Sequence, residues 1–181
     1  MTKEVVAGSR LDADRLIVDG DRFTILGAEL HNSSSSTLSA IRTSFDRAAA
    51  LGVNTVLAPV AWDLFEPNEG VFDYSLVDGM LAEARQLGIR LILLWFGSWK
   101  NGMSTYPPTW AKLDLERFPR AEVTGRGRIE HLSRFGTHSR IADRRAFAAL
   151  MAHLRENDSQ RTTIMVQVEN ECGLLGDARD R

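Results

Sequence analysis

The sequence has a single cysteine, Cys172, among its 181 residues. One thiol excludes an internal disulfide framework and a cysteine-rich metal site. Long apolar runs are also missing. Nothing approaches the roughly 20 residues that cross a bilayer, and the opening MTKEVVAGSRLDADRL has no apolar core of a secretory leader. A cytoplasmic location is therefore the default expectation. Nor is there an excess of charge: 22 Lys and Arg stand against 24 Asp and Glu, a net charge of -2, which argues against a dedicated binder of nucleic acid or of membrane surfaces. His131 and His138 with Glu130 have neither helical nor zinc-type spacing, so no metal is expected, and no cofactor motif stands out. No low-complexity segment or Pro/Gly linker divides the chain, and with 44% hydrophobic residues it suits one packed unit.

What is present is an alternation. Residues 22–30, RFTILGAEL, read as a strand led in by RLIVDGD, where Asp19-Gly20 signals a turn. The stretch NSSSSTLSAIRTSFDRAAALG then places Leu38, Ile41, Phe45 and Ala48 at helical spacing, with serines as candidate N-caps and Gly52 as a stop. VNTVLAPVAW is a second strand. DYSLVDGMLAEARQLG is a second helix with Leu76, Met80, Ala84 and Leu87 on one stripe and Gly88 at its end. IRLILLWF is a third strand, apolar on both faces as in parallel sheets covered by helices. An irregular insert runs from residue 97 to about 139, with a short helix over residues 108–117. A further helix carries Phe147, Leu150, Met151 and Leu154, and TTIMVQVEN is a fourth strand. The order β-α-β-α-β-insert-α-β implies right-handed parallel crossovers. An open nucleotide-binding sheet would carry a glycine-rich turn after its first strand; here that turn is GAELHNSSSS, without GxGxxG. The spacing favours a (β/α)8 TIM barrel. A full barrel takes about 250 residues, so four parallel strands with a long insert after the third are half of one.

Active sites of such barrels lie beyond the C-terminal ends of the strands. Those ends carry Glu29, His31 and Asn32; then Trp62, Asp63 and Glu66; then Trp95, Phe96, Trp99, Lys100 and Asn101; and last Glu169, Asn170 and Glu171. All four tryptophans, Trp110 included, lie at or beyond these ends. Aromatic faces beside polar groups suit the C–H faces and hydroxyls of sugar rings, although large aromatics also plug a barrel mouth. Trp62, Trp95 and Trp99 are thus candidate sugar platforms, with Glu29, Asp63, Lys100 and Asn101 as candidate hydroxyl partners. His31 is open between binding a hydroxyl and sitting beneath the site. Glu66-Pro67 reads as fixing its loop, and the arginines of the insert as a solvated surface.

The run WDLFEPNEGVFDYSLVDGMLAEARQLGIRLIL resembles the second and third units of glycoside hydrolase families 35 and 42, the β-galactosidases. MVQVENECG resembles the fourth-strand signature of family 35, and GAELHNSSSS and LLWFGSWKNGMS look like its bacterial branch. The resemblance implies that residues 1–181 are strands one to four of a glycosidase barrel, with the C-terminal half absent. It implies that Glu171 is the general acid/base and that Asn170 binds the sugar hydroxyl next to the anomeric carbon. The nucleophile would be a glutamate after strand seven, so this chain alone would be inactive. Cys172 stands where the family commonly has tyrosine. The implied substrate is a β-galactoside oligosaccharide or glycan.

Retaining hydrolysis needs two carboxyl groups about 5–5.5 Å apart on opposite sides of the scissile bond. Residues two apart on a strand share a face, so Glu169 and Glu171 would stand side by side and do not make that pair. Glu169 is open between a hydroxyl acceptor and a polar residue of the barrel interior. The same alternation turns Asn170 away from Glu171 unless the strand bulges or ends there. Two other classes remain: a non-catalytic sugar-binding or self-associating half-barrel, a homo-oligomer, and a relative acting as a β-glucosidase, mannanase or cellulase.

Overall fold

The turn at Asp19-Gly20 is where the chain first commits itself: both residues have positive φ, 52° and 96°, the backbone that a tight hairpin of right-handed twist demands. The structure, a computed structural model, describes residues 8–101, 104–133 and 135–172. In chain order the elements are β1 Ser9–Asp12, β2 Arg15–Val18, β3 Asp21–Arg22, β4 Gly27–Glu29, α1 Leu38–Ala50, β5 Thr55–Ala61, α2 Trp62–Phe65, α3 Ser75–Leu87, β6 Arg90–Phe96, α4 Thr109–Leu113, β7 Arg120–Val123, β8 Gly127–Leu132, α5 Thr137–Asn157 and β9 Thr163–Val168.

β4, β5, β6 and β9 form one parallel sheet in that order. One face is covered by helices. Ile41 and Phe45 of α1, Val77, Met80 and Leu81 of α3, and Ala146 and Leu150 of α5 pack with Val56, Ala58 and Val60 of β5 and Leu91, Leu93 and Trp95 of β6. The opposite face carries Ile92, Leu94 and Phe96, with Leu57 against them. The hairpin sheet β1–β3 closes this second cluster through Val18, and β9 through Ile164. Arg90, at the start of β6, donates to Asp19 at 2.5 Å and so ties the hairpin to that end of the sheet. The alternate side chains of β6 serve both faces, which is why the strand is apolar from Leu91 to Phe96.

The helix ends follow local chemistry. Thr37, rather than a serine, caps α1, its Oγ1 accepting from Ala40 N at 3.1 Å. Gly88 ends α3 in the left-handed region at φ 66°, where a residue without Cβ pays no steric cost.

Three expectations are corrected. The first strand is shorter than residues 22–30: β4 holds only Gly27–Glu29. The chain before it changes sheets, and the Asn54 side chain bonds the Thr24 and Leu26 backbone there in place of a ladder. The insert contains an antiparallel hairpin, β7–β8. It turns through Gly125 and Gly127 at φ 75° and 71° and buries Ala121, Val123 and Leu132 beneath its charged residues. The fourth strand ends at Val168, so Glu169 and Asn170 lie beyond it.

Candidate active site

β9 runs parallel to β6 with Val168 opposite Trp95. Immediately past this last rung, Glu169 and Glu171 adopt φ of 61° and 47°. Two non-glycine residues in the left-handed region, flanking one asparagine, are costly and persist only where the surroundings hold them. Here the surroundings are the segment that follows β6. Trp99 N donates to Glu169 Oε2 at 3.0 Å and Ser98 Oγ to Glu169 Oε1 at 3.3 Å. Asn170 Nδ2 donates to the Lys100 carbonyl at 3.1 Å, and Trp99 Nε1 to the Glu171 carbonyl at 3.0 Å. Gln167 Nε2 holds Asn170 Oδ1 at 2.7 Å and the Glu169 carbonyl at 3.0 Å. Strand alternation therefore stops before Glu169, and the side chains of residues 169–171 point where these bonds send them.

The two glutamates diverge. Glu171 leaves 66% of its side chain exposed, with Oε2 3.6 Å from Lys100 Nζ. That ammonium is itself buried and lies 4.9 Å over the Phe96 ring. Glu169 turns inward toward Asp143 of α5. Burial, then its hydrogen bond with the Asp143 carboxyl and the charge there, push Glu169 up to about 10. Asp143 is buried and accepts from Trp95 Nε1 at 2.8 Å and from Ser98 N at 2.7 Å. A Glu169 that holds its proton beside Asp143 follows, because two touching carboxyls do not both ionise.

A second group gathers around the end of β5. Asp63 N donates to the Tyr106 carbonyl at 2.9 Å. A cavity of about 230 Å³ opens beside it, lined among others by Asn32, Ser35, Asp63, Phe65, Met80 and Tyr106. Burial raises the Asp63 carboxyl above its ordinary value, opposed by the charge of Lys112. Glu29 is exposed at the end of β4, in register with Leu57 and hence on that residue's face of the sheet. His31 is exposed, its Nδ1 3.2 Å from Ser33 Oγ. Asn101 Oδ1 accepts from Ser104 N at 2.7 Å and shapes the turn after Lys100.

The structure thus brings Trp99, Lys100, Asn101, Glu169, Asn170 and Glu171 together, and sets Glu29, His31 and Asp63 along the neighbouring strand ends. It corrects the reading of the tryptophans as open sugar platforms. Trp62, Trp95 and Trp99 are 0%, 0% and 1% exposed. Their indole N–H groups are committed to Glu66 Oε2, Asp143 Oδ1 and the Glu171 carbonyl. These rings are large apolar bodies with one satisfied polar handle, which is how tryptophan packs in a core. Glu66 fixes its loop as expected: fully buried, it accepts from Trp62 Nε1 and Gly70 N, both at 2.7 Å, and pairs with Arg145. Asp143 was missed from sequence although it carried a signal. It stands four residues before Phe147 and seven before Leu150, an acidic residue on an apolar stripe. Among the described residues no cluster of three or more His, Cys, Asp or Glu could hold a metal ion, and no helix is long and apolar enough to cross a membrane.

Comparison with known proteins shows what the chain is similar to. Residues 15–95 match the model of glycosyl hydrolases family 35. The chain is 30% identical over 175 residues to a β-galactosidase of Xanthomonas manihotis, covering 90% of this chain and 26% of that protein. It is 36% identical over 87 residues to an exo-β-D-glucosaminidase of Pyrococcus horikoshii, 38% of this chain and 11% of the other. The chain therefore spans about a quarter or less of the curated relatives it matches. Among solved structures it is similar to the exo-β-1,4-mannosidase Op5Man5 from Opitutaceae bacterium strain TAV5, with TM-score 0.57, 22% identity, and 93% of this chain and 26% of that one covered. A GH5_18 protein from Streptomyces cattleya, solved with GlcNAc, gives TM-score 0.53 at 17% identity, over 74% and 28% of the two chains. At these identities the structural likeness shows the fold alone, a parallel βα arrangement. The match over residues 15–95 and the identity to the β-galactosidase relate the chain to glycosyl hydrolases family 35 by similarity.

Proposed function

We propose that residues 1–181 supply the first four βα units of a (β/α)8 barrel that acts as a retaining, β-galactosidase-type glycosidase, with Glu171 as its general acid/base. One observation carries this reading. Glu171 stands past β9 with its backbone carbonyl held by Trp99 and its exposed carboxyl beside Lys100, in a chain similar to family 35. The parallel order of β4, β5, β6 and β9 supports the half-barrel, since consecutive strands of a barrel are neighbours.

In this reading Glu171 protonates the leaving oxygen and then activates water for the second step. Asn170 meets the hydroxyl next to the anomeric carbon, and Glu29, His31, Asp63, Lys100 and Asn101 line the approach of a terminal β-galactose of an oligosaccharide or glycan. The nucleophile must face Glu171 across the scissile bond. Glu169 is turned inward to Asp143, which supports a second carboxyl supplied from outside residues 1–181 and an isolated chain that does not hydrolyse. No nucleic acid, membrane or cofactor takes part.

A panel of aryl β-galactosides, β-glucosides and β-mannosides tests the proposal on the chain alone and on the chain extended by the remaining barrel units. The expected result is no turnover by the chain alone and a preference for galactoside in the extended protein. A preference for glucoside or mannoside would move the reading to another glycosidase specificity. A second reading, a self-associating half-barrel, draws on the exposed Met165 and Val168 of β9, which lies at the end of its sheet, where unpaired backbone invites pairing. Sedimentation of the 181-residue chain as a dimer would favour it, and a soluble monomer would count against it.

A further inference from the structure

We propose that Asp143 and Glu169 are a proton-sharing carboxyl pair that acts as a positioning clamp, fixing the chain past β9 so that Asn170 and Glu171 are presented against the segment after β6. The significance for catalysis rests on Glu171 being the acid/base.

Four observations meet on this pair. Ser98 is shared between the two carboxyls: its backbone N–H goes to Asp143 Oδ2 at 2.7 Å and its hydroxyl to Glu169 Oε1 at 3.3 Å. Trp95 reaches Asp143 from one side and Trp99 N reaches Glu169 from the other, at 2.8 and 3.0 Å, so α5, β6 and the end of β9 are locked at one point. The neighbouring glycine is tailored to the carboxylate. A Cβ at Gly97 would stand 2.5 Å from both Asp143 oxygens and from Trp95 Nε1, so only a residue without a side chain lets Asp143 come this close. Finally, Glu169 sits in the left-handed region at φ 61°, a cost that a built contact must hold.

The groups facing the pair explain why it keeps a proton. From α5 come Asp143 itself and, lining the same cleft, the exposed Arg140 and Arg144. From the segment after β6 comes Lys100, whose ammonium lies by Glu171. From the pair's own segment come Glu171 and Cys172, both exposed. The two arginines are solvated and screened, so burial and the Asp143 carboxyl dominate at Glu169. A neutral carboxyl both donates, to Asp143, and accepts, from Trp99 N; an amide in its place can do the same. An ionised Glu169 serving as a hydroxyl acceptor for a sugar would not tolerate that exchange.

The sign of the pH dependence follows. Glu169 is raised from its ordinary 4.5 to about 10. Its contribution to stability is full below the ordinary value, declines through the window between the two, and is gone above the upper one.

The test uses the 181-residue chain labelled at the side-chain carboxyl carbons and titrated by NMR, beside Glu169→Gln and Glu169→Ala. The expected result is that Glu169 stays protonated through neutral pH. Glu169→Gln should keep the indole N–H shifts of Trp95 and Trp99 and flatten stability across the window, while Glu169→Ala displaces both indoles. If Glu169 titrates near its ordinary value, or if Glu169→Gln perturbs the indoles as much as Glu169→Ala, the pair is not proton-sharing and the proposal falls. Should Glu169→Ala not fold, the wild-type titration still decides. In the extended enzyme, Glu169→Gln should stay within about threefold of wild-type kcat/KM while Glu169→Ala lowers kcat more than it changes KM. A tenfold or larger loss in Glu169→Gln would overturn the positioning role. Failure of the glycosidase reading looks different: the titration and indole results hold, and Glu171→Gln has no effect on hydrolysis.

Discussion

Replacing Gly97 by alanine adds one methyl group where the structure has no room for it. The new Cβ would lie 2.5 Å from Asp143 Oδ1, Asp143 Oδ2 and Trp95 Nε1, when ordinary contacts begin about 1 Å farther out. None of these atoms is the loose end of a solvated chain. Asp143 and Trp95 are both buried, and the bonds at 2.8 Å to Trp95 and 2.7 Å to Ser98 N fix the carboxylate. Relief requires the carboxylate to retreat. Overpacking of this kind costs about 1–3 kcal/mol, and weakening a hydrogen bond to a charged group about 1.5–3 kcal/mol. The two effects share atoms and do not add fully, so the expected loss is about 3 kcal/mol. For a chain of this size each kcal/mol moves Tm by about 2–4 °C, which places Gly97→Ala roughly 6–12 °C below wild type. Thermal unfolding followed by near-UV circular dichroism is the assay, with urea unfolding as its equilibrium check. A Tm within about 1 °C of wild type would show that Asp143 is not held against Gly97, and the clamp at the end of β6 would have to be abandoned.

Two further perturbations follow from the same reasoning. Glu66→Ala removes the acceptor of Trp62 Nε1 and Gly70 N and the partner of the half-exposed Arg145; leaving the buried indole N–H unsatisfied costs about 1–3 kcal/mol, read as a fall in the urea midpoint, and an unchanged midpoint would refute the loop-fixing role. Asp63 has its carboxyl raised by burial above an ordinary 3.8, so its share of stability is present below that value and lost as pH rises through the raised one. Asp63→Asn should therefore gain on wild type as pH rises above the ordinary 3.8 in urea unfolding, and a difference that runs the other way with pH would contradict the assignment.

The fold was legible where burial and period agree. Residues 91–96 are apolar throughout and buried, between helices on one face and the hairpin cluster on the other. The α3 stripe is equally direct, with Met80 and Ala84 buried and Gly88 ending the helix at positive φ. The β7–β8 hairpin was hidden because only alternate residues are buried, Ala121 and Val123, beneath Arg120 and Glu122, and arginine-rich chain reads as solvated surface. At the site, the motif around Asn170 and Glu171 could be placed past a strand, but side-chain directions could not. Alternation governs only residues within a strand, and β9 stops at Val168 before two residues in the left-handed region. The tryptophans show the complementary limit. A strand-end position is shared by sugar platforms and core plugs, and only the partners of their N–H groups separate the two. Asp143 acts from a helix distant in sequence, so nothing local to residues 166–173 points to it.

Glu171 is the centre of the proposed chemistry, and leaving-group dependence tests it most directly. In the extended enzyme, kcat/KM is to be measured for a series of aryl β-galactosides whose phenols span good to poor leaving groups, with wild type and Glu171→Gln side by side. Loss of a general acid costs about 10²–10⁴-fold where the leaving group needs a proton. The expected result is a fall in that range for poor leaving groups and a far smaller one for the most activated phenol. An equal fall across the series, or no fall at all, would contradict the assignment of Glu171 as the acid/base.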